Sequence, residues 1–170
     1  SGVFLQDREG ENLICHYGTG FFRTMRGTRL TKFDNNLAVQ VWQNGKADCV
    51  NDYAQSAYRT SNFSQYGVTA VVAAPLIHDK KVIGVMEFSH NHEGLKFSEE
   101  QVSLLIQLSQ LASLAYGNSV LYAQVQTERD KARRVMKTMG QGMALVNKNG
   151  NINYANPALT GLLGYDADEL

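Results

Sequence analysis

The longest uninterrupted signal in the chain is "FSEEQVSLLIQLSQLASLAYGNSVLYAQVQTERDKARRVMKTM", residues 97–139, with no proline and a single glycine, Gly117. Ser98 followed three residues on by Gln101 has the form of a capping box, and Glu99 and Glu100 lie where the positive end of a helix dipole favours carboxylates. The pattern predicts one helix of about forty residues, against ~11–12 for an average globular helix. Such a helix has to leave its own domain or find a partner. Its first half is apolar enough to cover a sheet. Further on, Leu111, Leu114, Asn118, Leu121, Val125, Glu128, Ala132, Val135 and Met139 follow alternating spacings of three and four, the pattern of a two-helix seam. Asn118 would set register at a cost in stability, Glu128 weakens the frame, and Gly117 costs ~1 kcal/mol relative to alanine. The expectation is a parallel homodimeric coiled coil. The alternative is a helix that packs on its own domain and frays past Gln126.

Upstream, the chain reads as short strands and short helices. Residues 2–7 and 11–17 alternate apolar and polar positions (Val3/Leu5, then Leu13/Cys15/Tyr17) about the turn "DREGEN", a hairpin. "GTGFFRTMRGTRLT" is Gly-rich and of mixed period and reads as an irregular connection. In "FDNNLAVQVWQNGK", Asp34 or Asn35 offers a helix N-cap, Leu37, Ala38, Val41 and Trp42 form one apolar face, and Gly45 is a stop. "ADCVND" is a brief strand, and "YAQSAYRTSNFSQYG" a polar and aromatic segment with one or two helical turns. "VTAVVAAPLI" and "KVIGVMEFSH" form the central hairpin, and Pro75, lacking an N–H, requires an open edge, a bulge or a strand end at that point. The fold class is α+β.

Composition narrows the function. Sixteen basic and sixteen acidic residues cancel without a Lys/Arg cluster, so nucleic-acid binding and contact with a membrane surface are not expected. No run of about 18 apolar residues appears. The two cysteines, Cys15 and Cys49, lie in strand-like stretches outside any CxxC pattern, which favours a reducing, cytoplasmic setting. The chain opens on Ser1 in what reads as mid-strand, so an N-terminal truncation is expected.

Order and spacing across residues 1–123 resemble a GAF domain, a small-molecule sensory module of signalling proteins, without its first helix. "FLQDREGENL" looks like the first hairpin, "LAVQVWQNGKADCVND" like the helix, Gly turn and strand, and "AAPLIHDKKVIGVMEF" is similar to the APL strand pair. "FSEEQVSLLIQLSQLASLAYGNSVLY" matches the closing helix. Residues 140–170 resemble the N-terminal part of a PAS domain: the hairpin around Asn149-Gly150, the "YANPA" turn and "LLGYDADEL". A lone hairpin with short helices cannot bury enough apolar surface to stand alone. The long helix, residues 98–139, would close the GAF domain and continue as the coiled-coil linker between the two.

The GAF resemblance implies a pocket between the sheet and residues 53–66, with Tyr53, Tyr58, Phe63 and Tyr66 as aromatic walls, Trp42 closing one end and Asp52 at its margin. Equally, these rings fill the core beneath a loop. The ligand and any cofactor are not named by the sequence. Phytochrome-like GAF domains fix a bilin on a Cys-His pair in the helical region before the APL strand. Here Cys15-His16 lies in an early strand and residues 53–68 hold no cysteine, so no covalent bilin is expected. His90, His92 and Glu93 share a polar turn and are expected to be solvated rather than metal-bound. The cyclic-nucleotide-binding GAF domains carry a dispersed Asn-Lys-Phe-Asp-Glu signature, which the contiguous Lys32, Phe33 and Asp34 do not reproduce. No nucleophile stands in a motif with its base. The resemblance therefore implies a non-catalytic sensory and regulatory segment of a bacterial signal-transduction protein, a sensor histidine kinase first and a diguanylate cyclase next. It would bind an unknown small molecule or partner and relay it through a homodimeric helix. Two alternatives stand beside it: a ligand-free dimerisation scaffold, and a redox GAF enzyme of the free methionine sulfoxide reductase kind, which needs more than the two cysteines present.

Overall fold

The structure is a computed structural model describing residues 1–164; the "YDADEL" end of the PAS-like motif lies outside the described residues. The chain divides into two compact units, Ser1–Gly117 and Asn118–Leu170.

The first unit is built on an antiparallel six-stranded sheet in the order β3-β2-β1-β6-β5-β4. The strands are β1 (Gly2–Gln6), β2 (Asn12–Gly18), β3 (Arg29–Thr31), β4 (Asp48–Val50), β5 (Ala70–His78) and β6 (Lys81–His90). With helices on both faces it is an α+β fold. The connection expected to be irregular holds a 3-10 helix, Gly20–Met25, and the edge strand β3, too short at three residues to show a period. In β1 the residue driven into the core is Phe4 rather than Val3 or Leu5, which alternate onto the opposite, half-buried face. Tyr17, at the end of the Leu13/Cys15 alternation, is 59% exposed.

α1 (Leu37–Asn44) buries Leu37, Ala38, Val39, Val41 and Trp42 and stops at Gly45, whose φ of 68° is the left-handed cap that glycine tolerates. Its N-cap is Asn36, not Asp34 or Asn35. Asp34 is spent in a turn, accepting from the Thr31 N–H and hydroxyl, and Asn35 donates to the Ala57 carbonyl, so Asn36 remains to accept from Ala38 N–H at 2.8 Å.

Pro75 stands where an open edge was required. β4 covers β5 only from Val71 to Ala73, so the missing N–H of Pro75 interrupts no ladder. Two residues on, Ile77 N–H donates to Ser113 Oγ of α3 (Glu99–Thr138) at 2.9 Å. The capping box is formed: Ser98 N–H to Gln101 Oε1 at 3.0 Å and Gln101 N–H to Ser98 Oγ at 3.2 Å. Within the first unit, α3 lays a narrow face of Leu105, Ser109, Ser113 and Gly117 on the sheet, so close at Gly117 that an added Cβ would lie 2.7 Å from the His78 ring. Leu104, Leu108, Leu111 and Leu114 are left exposed.

The second unit holds the rest of α3, the hairpin β7 (Ala144–Val146) and β8 (Ile152–Ala155), and a helix α4 (Pro157–Leu163). The hairpin turn is organised by Asn147, whose Oδ1 accepts from Asn149 and Asn151 N–H, and Gly150 takes a φ of 87°. Asn156 is fully buried. Its Oδ1 caps α4 and accepts from Met143 N–H, and its Nδ2 donates to the Met136 and Gln141 carbonyls.

Candidate functional site

The aromatic segment of the first unit starts at a 3-10 turn, Tyr53–Gln55, and ends in α2 (Ser61–Gln65). The Tyr53 hydroxyl donates to the Tyr58 carbonyl at 2.6 Å and accepts from Thr60 N–H at 3.2 Å, and Thr60 caps α2 through Phe63 N–H. The segment is thus folded around one phenol. Phe63 packs edge-on against Phe21 and Phe22 at 5.1 and 5.6 Å, Tyr53 lies 5.4 Å from Phe63, and Tyr66 stacks on Phe21 at 5.2 Å.

Tyr53, Phe63 and Tyr66 are therefore brought together, and Tyr58 joins through its carbonyl. Phe21 and Phe22 complete the cluster. They come from the glycine-flanked 3-10 helix, whose lack of period hid them. Trp42 belongs to the same core but sits on α1, with Lys32 Nζ 5.7 Å over its ring. Asp52 is exposed and makes no side-chain cap bond to the turn it precedes.

A polar residue that the sequence reading did not single out lies in this core. Glu87, on β6 between Gly2 of β1 and Ala73 of β5, shares the core-facing side with Val85 and is 0% exposed. Neither carboxyl oxygen has a hydrogen-bond partner among the described residues. Burial pushes its pKa up to about 8, the nearby α-ammonium of Ser1 pulling the other way. The carboxyl group is held as the neutral acid at neutral pH. It lies two residues from Val85 on the same face, in a strand read only as apolar, whose two faces are both packed.

The other candidates do not converge on a site. Burial raises the pKa of both Cys15 and Cys49, which keeps these free thiols protonated at neutral pH. His16 is exposed at the surface of β2, and His90 stacks on Phe97 at 4.3 Å. Among the described residues no three His, Cys, Asp or Glu side chains are placed to hold a metal ion. Phe33 is 98% exposed, beside the Asp34 turn. A cleft of about 460 Å³ opens beside α3, lined by Pro75, Ile77, Ile106, Gln110, Ser113 and Leu114. It does not include the aromatic cluster.

A family model described as GAF domain matches residues 1–116, and one described as PAS fold matches residues 130–170. Comparison with curated proteins returned no match. Among solved structures, the chain is similar to a GAF domain/HD domain protein from Geobacter sulfurreducens (TM-score 0.60, 19% identity, 71% of this chain and 80% of that one). It is also similar to the second GAF domain of DevS from Mycobacterium smegmatis (TM-score 0.60, 13% identity, 73% and 83%). A third is the free methionine-R-sulfoxide reductase from Neisseria meningitidis, in complex with its substrate (TM-score 0.55, 20% identity, 69% and 68%). At these identities the likeness is one of fold.

Proposed function

The chain belongs to the GAF domain family, and from that premise we propose that it is a sensory and dimerising segment of a bacterial signal-transduction protein, most concretely a cytoplasmic sensor histidine kinase. GAF and PAS domains are sensory, so a regulatory signalling role follows from their pairing. Finer parts of the reading are the division into a GAF domain (1–123), a linking helix (98–139) and a PAS portion (140–170), the small-molecule ligand, and relay through a homodimer. Among the described residues no helix is long and apolar enough to cross a membrane.

The observation that carries the relay is α3 itself. One unbroken helix of 40 residues belongs to both units, and along it Leu111, Leu114, Leu121, Val125 and Val135 are all exposed, at 56–66%, as is Met139 one residue past its end, at 41%. Together with the exposed Asn118 and Ala132 they form the seam of a two-helix coiled coil with a second copy. A ligand that prefers one packing of the first unit biases the seam by no more than its differential affinity for the two packings. Sedimentation velocity on the whole chain at tens of micromolar tests this. A dimer is expected, and a monomer would sink the relay.

The filled aromatic core favours a second reading, a scaffold that dimerises without a ligand. A small-molecule thermal-shift screen separates the two, since the scaffold shows no ligand-dependent shift at any concentration. The likeness to a sulfoxide reductase keeps an enzyme reading in view, but it would need a reactive cysteine and both thiols are held protonated. Thiol-dependent methionine sulfoxide reduction that is lost in Cys49→Ser would establish it.

A further inference from the structure

Among the described residues most buried polar side chains are satisfied: Asn36 accepts from Ala38 N–H, Ser109 donates to the Ile106 carbonyl, Ser113 to the Ser109 carbonyl, and Asn156 makes four bonds, while the Tyr154 hydroxyl in the second unit lacks a partner. Glu87 breaks the rule. Its strand partners are Gly2 and Ala73 and its neighbour on the same face is Val85, so an apolar residue would complete the core there. A buried acid without a donor is an acceptor with its partner missing. Its surroundings are aromatic. The Phe22 ring lies so close over Gly2 that an added Cβ would stand 2.5 Å from it, and Phe22 belongs to the same buried cluster as Tyr53 and Phe63.

The cover over this region is held by the ring packing of Tyr53, Phe63 and Tyr66 on Phe21 and Phe22, with few hydrogen bonds to the rest of the unit. Tyr53 N–H donates to the Thr69 carbonyl at 2.9 Å, Asn35 Nδ2 to the Ala57 carbonyl, and the Tyr66 hydroxyl to Thr24 Oγ1 at 3.3 Å, while Arg59 bonds only within the segment, to Ser64 and Ala54. We propose that Glu87 is the recognition residue of the sensor pocket, and that the ligand is a small organic cation that donates N–H bonds, a primary ammonium on an apolar body, which enters by displacing aromatic rings now packed beneath the segment 53–66. This rests on reading the GAF domain as a ligand sensor. An ammonium supplies both the donors that the two carboxyl oxygens lack and a cation that aromatic faces attract.

The proton balance follows. The free protein holds Glu87 as the neutral acid, and the bound ammonium stabilises the carboxylate, so one proton passes to solvent for each cation bound. With Glu87 at about 8 in the free protein, affinity rises about tenfold per pH unit well below that value. The titratable groups facing Glu87 are the Ser1 α-ammonium at the start of β1, the Cys15 thiol on β2 and the Tyr53 phenol. Cys15 and Tyr53 are shifted upward and stay neutral through this window; Ser1 is shifted downward, and it is retained in a Glu87→Gln comparison.

The test is isothermal titration of the full chain with n-butylammonium and phenethylammonium, against n-butanol and 2-phenylethanol, at pH 6, 7 and 8 in two buffers of different ionisation enthalpy. The ammonium compounds are expected to bind with release of close to one proton at pH 6 and 7, falling to about half a proton at pH 8, and with a gain of about tenfold from pH 6 to 7 and about fivefold from pH 7 to 8, the alcohols at least tenfold more weakly. Glu87→Gln should lose at least tenfold at pH 8 together with the slope. Alcohols that bind as well as the ammonium compounds, or Glu87→Gln binding unchanged, would overturn the role of Glu87 and leave a sensing pocket standing. No binding by any probe also rejects the proposal, and the thermal-shift screen then decides the sensor reading separately. If Glu87→Gln does not fold, the slope and proton count of the native chain still decide the matter.

Discussion

Glu87 gives the stability of this protein an unusual pH dependence. In the unfolded chain its carboxyl loses its proton around the ordinary value of 4.5, whereas in the fold it keeps it to about 8. The folded state therefore binds more protons between those values, and stability present in full below pH 4.5 is lost as pH rises toward 8. The limiting slope is ~1.4 kcal/mol per pH unit, so urea midpoints should fall from pH 5 to pH 7 by an amount corresponding to roughly 2–3 kcal/mol. Glu87→Gln should flatten that interval, and a native midpoint that rises or holds steady would contradict the assignment. Asp7 acts below this window, its pKa being lowered from 3.8 by bonds from Asn12, while the Ser1 ammonium, lowered from 8.0 by burial, opposes the Glu87 trend near neutrality and is removed by N-acetylation. The strand itself was legible in "KVIGVMEFSH". Which face Glu87 takes was not, because β6 lies inside the sheet with apolar packing on both sides and alternation has no solvent face to point to.

Among the elements, α3 shows what a sequence pattern conveys and what it hides. The capping box was readable from four letters because both of its bonds are local. The sheet-facing stripe was not, since after Leu105 it consists of Ser109, Ser113 and Gly117 rather than leucines, and its logic depends on the open edge of β5 across the chain. Ser113 closes that edge. Ser113→Ala leaves Ile77 N–H without its acceptor beneath the helix, and thermal melts should show a loss of ~1–2 kcal/mol; no change would mean that water replaces the hydroxyl freely. The α1 cap has the same lesson: Asp34, Asn35 and Asn36 are equivalent as caps on paper, and only the distant partners Thr31 and Ala57 decide which is left over. In the second unit, Asn156→Ala removes four bonds at once and should cost a few kcal/mol. Hydrogen exchange should then show β7, β8 and α4 opening while the amides of β5 and β6 keep their protection.

At the level of the whole molecule, the aromatic cluster and the apolar seam raise opposite questions. The expected walls Tyr53, Phe63 and Tyr66 do meet, but on Phe21 and Phe22, so the space they were expected to enclose is filled by rings from a segment without a readable period. The three-and-four spacing was readable and its apolar residues are exposed, yet a spacing identifies a face and not what covers it. If a second copy covers it, charge placed in the middle of the stripe should dissociate the dimer without unfolding either unit, because Leu111 and Leu121 touch little of their own chain at 63% and 57% exposure. Leu111→Glu with Leu121→Glu should sediment as a monomer while keeping the native melting of the first unit. Asn118→Leu should act in the opposite direction. Removing the buried amide from the seam strengthens two-stranded association but releases its register. Cysteines introduced at Val125 should then cross-link as one in-register species in the native background and as a mixture with Asn118→Leu. Equal cross-linking in the two backgrounds would place Asn118 outside the seam, and a double glutamate variant that remains dimeric would place the interface elsewhere on the molecule.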